Sequence, residues 1–171
     1  PSITLVAALS VIRTIEELHH LRAEVKWPND VELNGKKVAG ILTEMSSEQD
    51  RVNFLILGIG INLNSFPAEF RSHATSLREE LKREVLRVGF ARALYQNLER
   101  CYSVFQQGGF PSFKGEWEAH SSLKGKFIQI SGFEGRLSGR AVGVDEDGAL
   151  LVQRKDGGIE RVIAGDVTIV K

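Results

Sequence analysis

Apolar residues at Leu5, Leu9, Ile12, Ile15 and Leu18 recur at intervals of four and three. That spacing predicts a helix from Ser2 to about Leu18 with one apolar face, widened by Ala7 and Ala8. His19 and His20 follow its last turn. Two adjacent histidines with no third ligand nearby read as a polar helix end rather than a metal site. From Arg22 the pattern becomes extended, with Val25 and Trp27 on one face. Pro28 interrupts pairing, because it lacks an N–H and restricts the residue before it. Asn29 and Asp30 then lie at a bend, and Val31 to Leu33 resumes the strand. Asn34-Gly35 is a strong hairpin signal, since a type I′ turn needs positive φ at both central residues. The returning strand runs from Lys36 to about Met45, followed by a polar turn over Ser46 to Asp50.

Arg51 to Ile61 reads as a third long strand. Its continuous apolar run, Phe54 to Leu57, predicts burial on both faces. It ends in Gly58-Ile59-Gly60-Ile61-Asn62-Leu63-Asn64, where two glycines let another group approach the backbone. No third glycine or helix start follows, so this is no dinucleotide fingerprint. Ser65 to about Leu81 reads as loop. A second long helix is expected from about Lys82 to Gln107, with a stripe of Leu86, Phe90, Leu94, Leu98, Cys101 and Phe105, ended by Gly108-Gly109. A short helix carrying Trp117 follows within Phe110 to Ser121.

From Leu123 the pattern shifts to short alternating stretches: Phe127–Ile130, Arg136–Val144, Ala149–Gln153, Ile159–Ile163 and Val167–Val170. Turn signals stand at Gly132, Asp147-Gly148 and Asp156-Gly157-Gly158. Five short strands in this span predict a small β-barrel. The expected division is therefore an α/β portion over residues 1–121 and a β portion over 122–171.

Composition narrows the reading. The chain has 171 residues, a hydrophobic fraction of 42% and 22 basic against 22 acidic residues. A balanced charge argues against a general nucleic-acid or membrane-surface binder, so any anion site must be local. The single cysteine, Cys101, excludes an intrachain disulfide and fits a reducing, cytoplasmic setting. It lies in an apolar stripe and reads as structural. No apolar run is long enough to span a bilayer. The chain begins at Pro1 rather than Met, consistent with a fragment or a processed chain.

Candidate chemistry gathers around the Asn34-Gly35 hairpin. Lys26, Lys36 and Lys37 supply positive charge, and a regular strand points Lys36 and Lys37 to opposite faces. Asn29 and Asp30 offer oxygen ligands to Mg²⁺ or partners to a ribose or phosphate. Val38 to Leu42 forms an apolar wall with room at Gly40. Equally, hairpin lysines form solvated edges, and Asn-Asp makes turns. The residue types alone leave both readings open.

Three blocks together decide further. Lys26-Trp27-Pro28-Asn29-Asp30, then Lys37-Val38-Ala39-Gly40-Ile41-Leu42-Thr43-Glu44, then Gly58-Ile59-Gly60-Ile61-Asn62-Leu63-Asn64, strongly resemble biotin–protein ligases in order and approximate spacing. Ala74-Thr75-Ser76-Leu77 resembles the family's nucleotide-side loop, and the β tail its C-terminal SH3-like domain. The resemblance implies a mixed sheet with helices of the class II aminoacyl-tRNA synthetase/biotin ligase type. It implies a reaction that joins biotin to ATP as biotinyl-5′-AMP and passes biotin to a lysine of a biotin carboxyl carrier domain of a carboxylase. By position, Lys37 matches the lysine that contacts the biotin carboxylate and the α-phosphate. Gly40 and Leu42 match the biotin wall. Asn29, Asp30, Asn62, Thr75 and Ser76 match the ATP/adenylate side, with Asp30 also the candidate Mg²⁺ ligand and Lys26 a structural support.

One departure stands out. The family's Gly/Arg-rich loop, which grips biotin and phosphate, has no counterpart here, nor does the DNA-binding helix-turn-helix of some members. Residues 1–171 alone are therefore expected to bind the adenylate weakly and turn over little. Two other readings remain: a non-catalytic binding or assembly module, and a lipoate or octanoyl transferase of related fold, against which the Lys-Trp-Pro-Asn-Asp pentad argues. Homodimerisation stays open.

Overall fold

Helix α1 (Ser2–His19) is buried on every side from Thr4 to Ile12. A helix apolar all round must lie inside the molecule. Here one side faces the sheet, and others face two later helices. Two of its buried hydroxyls turn back on the helix, Ser10 Oγ donating to the Val6 carbonyl and Thr14 Oγ1 to that of Ser10. Neither therefore leaves a polar group unpaired in the core. The structure is a computed structural model that describes residues 2–48, 51–132 and 135–170.

The first sheet is antiparallel, in the order β1 (Glu24–Lys26), β2 (Asp30–Leu33), β3 (Lys36–Glu48) and β4 (Arg51–Ile61). The hairpin turn is as expected: Asn34 and Gly35 have φ of 52° and 73°. Strand β3 runs on to Glu48, past the Ser46 at which the turn was expected to start. Gln49 and Asp50, the rest of that turn, lie outside the described residues.

The expected double burial of β4 does not occur. Val52, Phe54 and Ile56 are each more than half exposed, and Leu55 is 36% exposed. The α1 side covers only the half of the β3–β4 ribbon near Ile41, Ile59 and Ile61. The outer half, around Met45 and Leu55, projects beyond the helix. An apolar run reports that a strand suits burial. It does not report whether a covering element lies within reach.

The stretch expected to be loop holds a 3-10 turn, Ala68–Phe70, and a short helix α2 (Leu77–Leu81). Ser76 caps α2, its Oγ accepting from the Glu79 N–H at 3.3 Å, a bond that satisfies one of the helix's orphan donors. Lys82, at φ 57°, ends it. Helix α3 (Arg87–Gly108) therefore begins later than expected, and Leu86, outside it, is 77% exposed. Helix α4 (Pro111–His120) buries Phe113 and Trp117 completely.

The five tail strands, β5 (Phe127–Gly132), β6 (Gly135–Val144), β7 (Leu150–Gln153), β8 (Ile159–Val162) and β9 (Asp166–Ile169), form an antiparallel sheet in the order β8-β7-β6-β5-β9. Among the described residues no ladder joins β8 to β9, so the sheet stays open rather than closing as a barrel. One buried apolar cluster runs from α1 through Phe110, Phe113 and Trp117 into Leu123, Ile128 and Val152. The two sheets thus share a core across Ser122.

Candidate functional site

The site is built on the middle of β3. Register pairs Asp30 with Gly40, Gly40 with Gly60, and Leu42 with Gly58. Directly paired residues share a face of the sheet. Gly40, Gly58 and Gly60 therefore form a strip of bare backbone on the face opposite α1, with Leu42 beside it, 62% exposed. Cβ atoms at Gly58 and Gly60 would meet nothing closer than 3.6 Å, so the strip is open above.

Lys37 reaches this strip by a local irregularity. Val31 pairs with Ala39 but Glu32 pairs with Lys37, which leaves Val38 as an extra, buried residue. Such a bulge re-aims the neighbouring side chain. In a regular strand Lys37 and Gly40, three apart, would face opposite ways. Here Lys37 Cε and Nζ each lie 3.0 Å from where a Gly40 Cβ would stand. Lys37 Nζ pairs with Asp30 Oδ1 at 2.6 Å. Lys36 points away and donates to the Arg71 carbonyl at 3.2 Å.

Asn29 is locked edge-on to β3. Its carbonyl accepts from the Ile41 N–H, and its side-chain Nδ2 donates to the Ile41 carbonyl, both at 2.9 Å. Its Oδ1 makes no hydrogen bond among the described residues and remains as an acceptor. Trp27, two residues earlier, is buried, and its Nε1 donates to the carbonyl of Gly148, in the turn after Val144, at 3.1 Å. The peptide bond between Trp27 and Pro28 is cis. Lys26 is the register partner of Asp30 and shares its face.

The segment around Thr75 lies along Lys37. The Lys37 N–H donates to the His73 carbonyl and the Thr75 N–H to the Lys37 carbonyl, each at 2.9 Å. Asn62 ties this segment to β4: Nδ2 donates to the Thr75 carbonyl at 3.0 Å, and the Asn62 carbonyl accepts from the Leu77 N–H. Thr75 and Ser76 are both 1% exposed. Their hydroxyls serve Glu80 and the α2 cap, so both residues hold the wall rather than project from it. Lys37, Asp30, Asn29, Gly40 and Leu42 come together on one surface, with Asn62 and the Thr75 segment along its side. The sequence reading passed over Trp27's anchoring bond, the bulge at Val38 and the carboxylate of Glu80. Of these, only Glu80 had a nearby signal, since Ser76-Leu77-Arg78-Glu79 fits the pattern of a capped helix start.

Beside Asn29 and Leu42, a cavity of about 340 Å³ opens between the two sheets, lined also by Thr4, Thr43, Arg161 and Ile163. Among the described residues no cluster of three or more His, Cys, Asp or Glu is placed to hold a metal. Asp30 is the carboxylate beside the strip, and one of its oxygens already meets an ammonium. That donor set suits a Mg²⁺ brought in on phosphates, which needs only one or two protein carboxylates. It does not suit a resident metal.

The chain matches two family models, the Biotin/lipoate A/B protein ligase family over residues 1–62 and the Biotin protein ligase C terminal domain over residues 132–170. The bifunctional ligase/repressor BirA of Bacillus subtilis is 36% identical over 173 residues, covering 99% of this chain and 53% of the relative. The biotin–[acetyl-CoA-carboxylase] ligase of Mycobacterium tuberculosis is 30% identical, covering 96% of this chain and 61% of the relative. The chain spans about half the length of the curated relatives such as BirA that it matches. The apo biotin protein ligase of Aquifex aeolicus superposes with a TM-score of 0.90 at 31% identity, over 99% of this chain and 75% of that one. The same enzyme in complex with biotin and ATP gives a TM-score of 0.87 at 28% identity, over 99% and 72%. With two family models matched, relatives more than 30% identical and a shared fold, this chain belongs to the biotin protein ligase family.

Proposed function

We propose that the protein carrying this chain is an ATP-dependent biotin–protein ligase, with residues 1–121 contributing to its catalytic domain and 122–171 forming its C-terminal domain. The observation that supports this most is the placement of Lys37 Nζ over the glycine strip. A flat bicyclic ligand can lie on bare backbone there, its carboxylate directed at the ammonium. A carboxylate oxygen of biotin attacks the α-phosphorus of ATP. The bond to the bridging oxygen breaks, and pyrophosphate leaves. Negative charge grows on the phosphoryl oxygens during this step, and Lys37 offsets it. The neutral amine of an acceptor lysine then attacks the acyl carbon, expelling AMP and losing a proton.

Asp30 aims Lys37 through their ion pair at 2.6 Å, and it is the residue that would hold a phosphate-borne Mg²⁺ on the nucleotide side. Asn29 offers Oδ1 to the nucleotide. Asn62, Thr75 and Ser76 shape its pocket, mainly through backbone groups, and Lys26 supports the bend. Leu42 and Gly40 line the biotin side. An acyl-adenylate is hydrolysed if water enters, so a working site must be closed. Leu42 on the proposed ligand face is 62% exposed, so closure over a bound ligand has apolar surface there to cover. The acceptor is a lysine on a biotin carboxyl carrier domain, and the reaction belongs in the cytoplasm. No helix among the described residues is long and apolar enough to cross a membrane.

The test is to incubate the full-length protein with biotin and α-labelled ATP, look for biotinyl-AMP, then add a carrier domain and probe it with avidin. Lipoate and octanoate serve as competing acids. Labelled carrier from biotin alone is expected. An adenylate formed from lipoate in preference to biotin would overturn the reading.

A further inference from the structure

One carboxylate links the two backbone segments that flank Lys37. Glu80, on the last turn of α2, accepts from Asn34 Nδ2 at 2.7 Å through Oε2 and from Thr75 Oγ1 at 2.6 Å through Oε1. Asn34 is the first turn residue of the hairpin that starts β3, at φ 52°. Thr75 is the residue whose N–H meets the Lys37 carbonyl. Chain and hydrogen bonds therefore form a closed loop: Glu80 to Asn34, along Gly35 and Lys36 to Lys37, across to Thr75, and back to Glu80. Without Glu80, the ties left among the described residues between the turn and this segment would be the backbone pairing at Lys37 and the exposed bond from Lys36 Nζ to the Arg71 carbonyl.

The chemistry of the loop is specific. An ionised carboxylate is an acceptor with two oxygens, and each here takes a different donor. Bonds to a charged acceptor are stronger than neutral ones. Thr75 is 1% exposed, so its hydroxyl depends on this partner. Side-chain deletion at Glu80 removes the tie between Asn34 at the hairpin tip and Thr75 and so loosens the backbone from which the Lys37 side chain springs.

We propose that Glu80 is a positioning residue that fixes Lys37 over the glycine strip, an inference that rests on the catalytic reading of Lys37. A reacting group misplaced by about 1 Å can lose on the order of a hundredfold in rate. For Glu80→Ala in the full-length protein, kcat for adenylate formation is expected to fall on the order of tenfold, with KM for biotin unchanged. Glu80→Gln keeps one acceptor oxygen and should recover part of the loss. In a Lys37→Ala background, Glu80→Ala should cost nothing further. An equal loss in both backgrounds, or a parallel loss of biotin binding and melting temperature, would overturn the proposal.

Amide hydrogen exchange supplies a readout free of turnover. The Lys37 and Thr75 amides should exchange faster in Glu80→Ala, while Val31 and Ile41 stay as in the wild type. Unchanged exchange at Lys37 and Thr75 overturns the positioning role whatever the activity. Adenylate formation by the wild type separately reports on the ligase reading.

Discussion

Gly40 shows how a single missing Cβ makes room for the end of a neighbouring side chain. A methyl there would stand 3.0 Å from both Cε and Nζ of Lys37, and the flexible lysine end would give way before the backbone did. Gly40→Ala should therefore leave melting nearly unchanged yet lower adenylation toward the level of Lys37→Ala, on the order of a hundredfold down. Paired melting curves and adenylate assays on the two variants check this. His19 offers a second residue-scale test. Its ring stacks on Phe90 at 6.2 Å, and burial, then Arg83 and His20, hold its pKa below the ordinary histidine value. The folded chain thus takes up this proton less readily than the unfolded chain. Its contribution to stability is full above about pH 6.5, the unfolded value, and is lost as pH falls through the lower folded value. Urea midpoints should drop between neutral and mildly acid pH, and His19→Gln should reduce that drop. An equal drop in both proteins would exclude His19 as the source. Lys37 could be singled out as a candidate in the sequence through its neighbours. Its aim was not, because the extra residue at Val38 changes the count along the strand without changing its composition.

At the scale of elements, β4 was legible as a strand and misleading as a core strand. Phe54 and Ile56 are 56% and 54% exposed, and with Leu42 they make an apolar patch on the face that carries the glycine strip. Exposed apolar strand faces invite association. Residues 1–171 should bind a hydrophobic dye, and the double change Phe54→Thr with Ile56→Thr should remove much of that signal with little effect on melting. Undiminished dye binding would show that the patch lies elsewhere. Helix α2 was missed for the opposite reason. Five residues are too few to display a 3.6-residue period, and the only local evidence was the capping pattern at Ser76 and Glu79. Helix α1, by contrast, is long and regular, so its bounds could be read almost to the residue.

At the scale of the molecule, the turn between β6 and β7 joins the two sheets. Its Gly148 has φ 85°, accepts from Trp27 Nε1, and would place a Cβ against Leu5 Cδ1. Nearby, Glu118 accepts from the Val144 N–H at 3.3 Å, and Lys114 pairs with Glu146 at 2.5 Å. Gly148→Ala combines strain with overpacking and should destabilise by about 1–3 kcal/mol. Because Trp27 directly precedes Pro28 and Asn29, this variant should also raise KM for ATP more than KM for biotin. Calorimetry with a two-substrate titration would test both parts, and a change in stability alone would unlink the turn from the site. The tail's five strands were readable from alternation. That they form an open sheet sharing a core with the first was not, since closure and docking depend on contacts far apart in the chain.

The glycine strip bears on how such a site could be inhibited. A compound lying on Gly40, Gly58 and Gly60 would grip main chain, which has no side chain to lose by mutation. Resistance at these glycines would come by adding bulk, and on the proposed reading the same bulk would shut out biotin. Escape from such a compound would therefore carry its own fitness penalty.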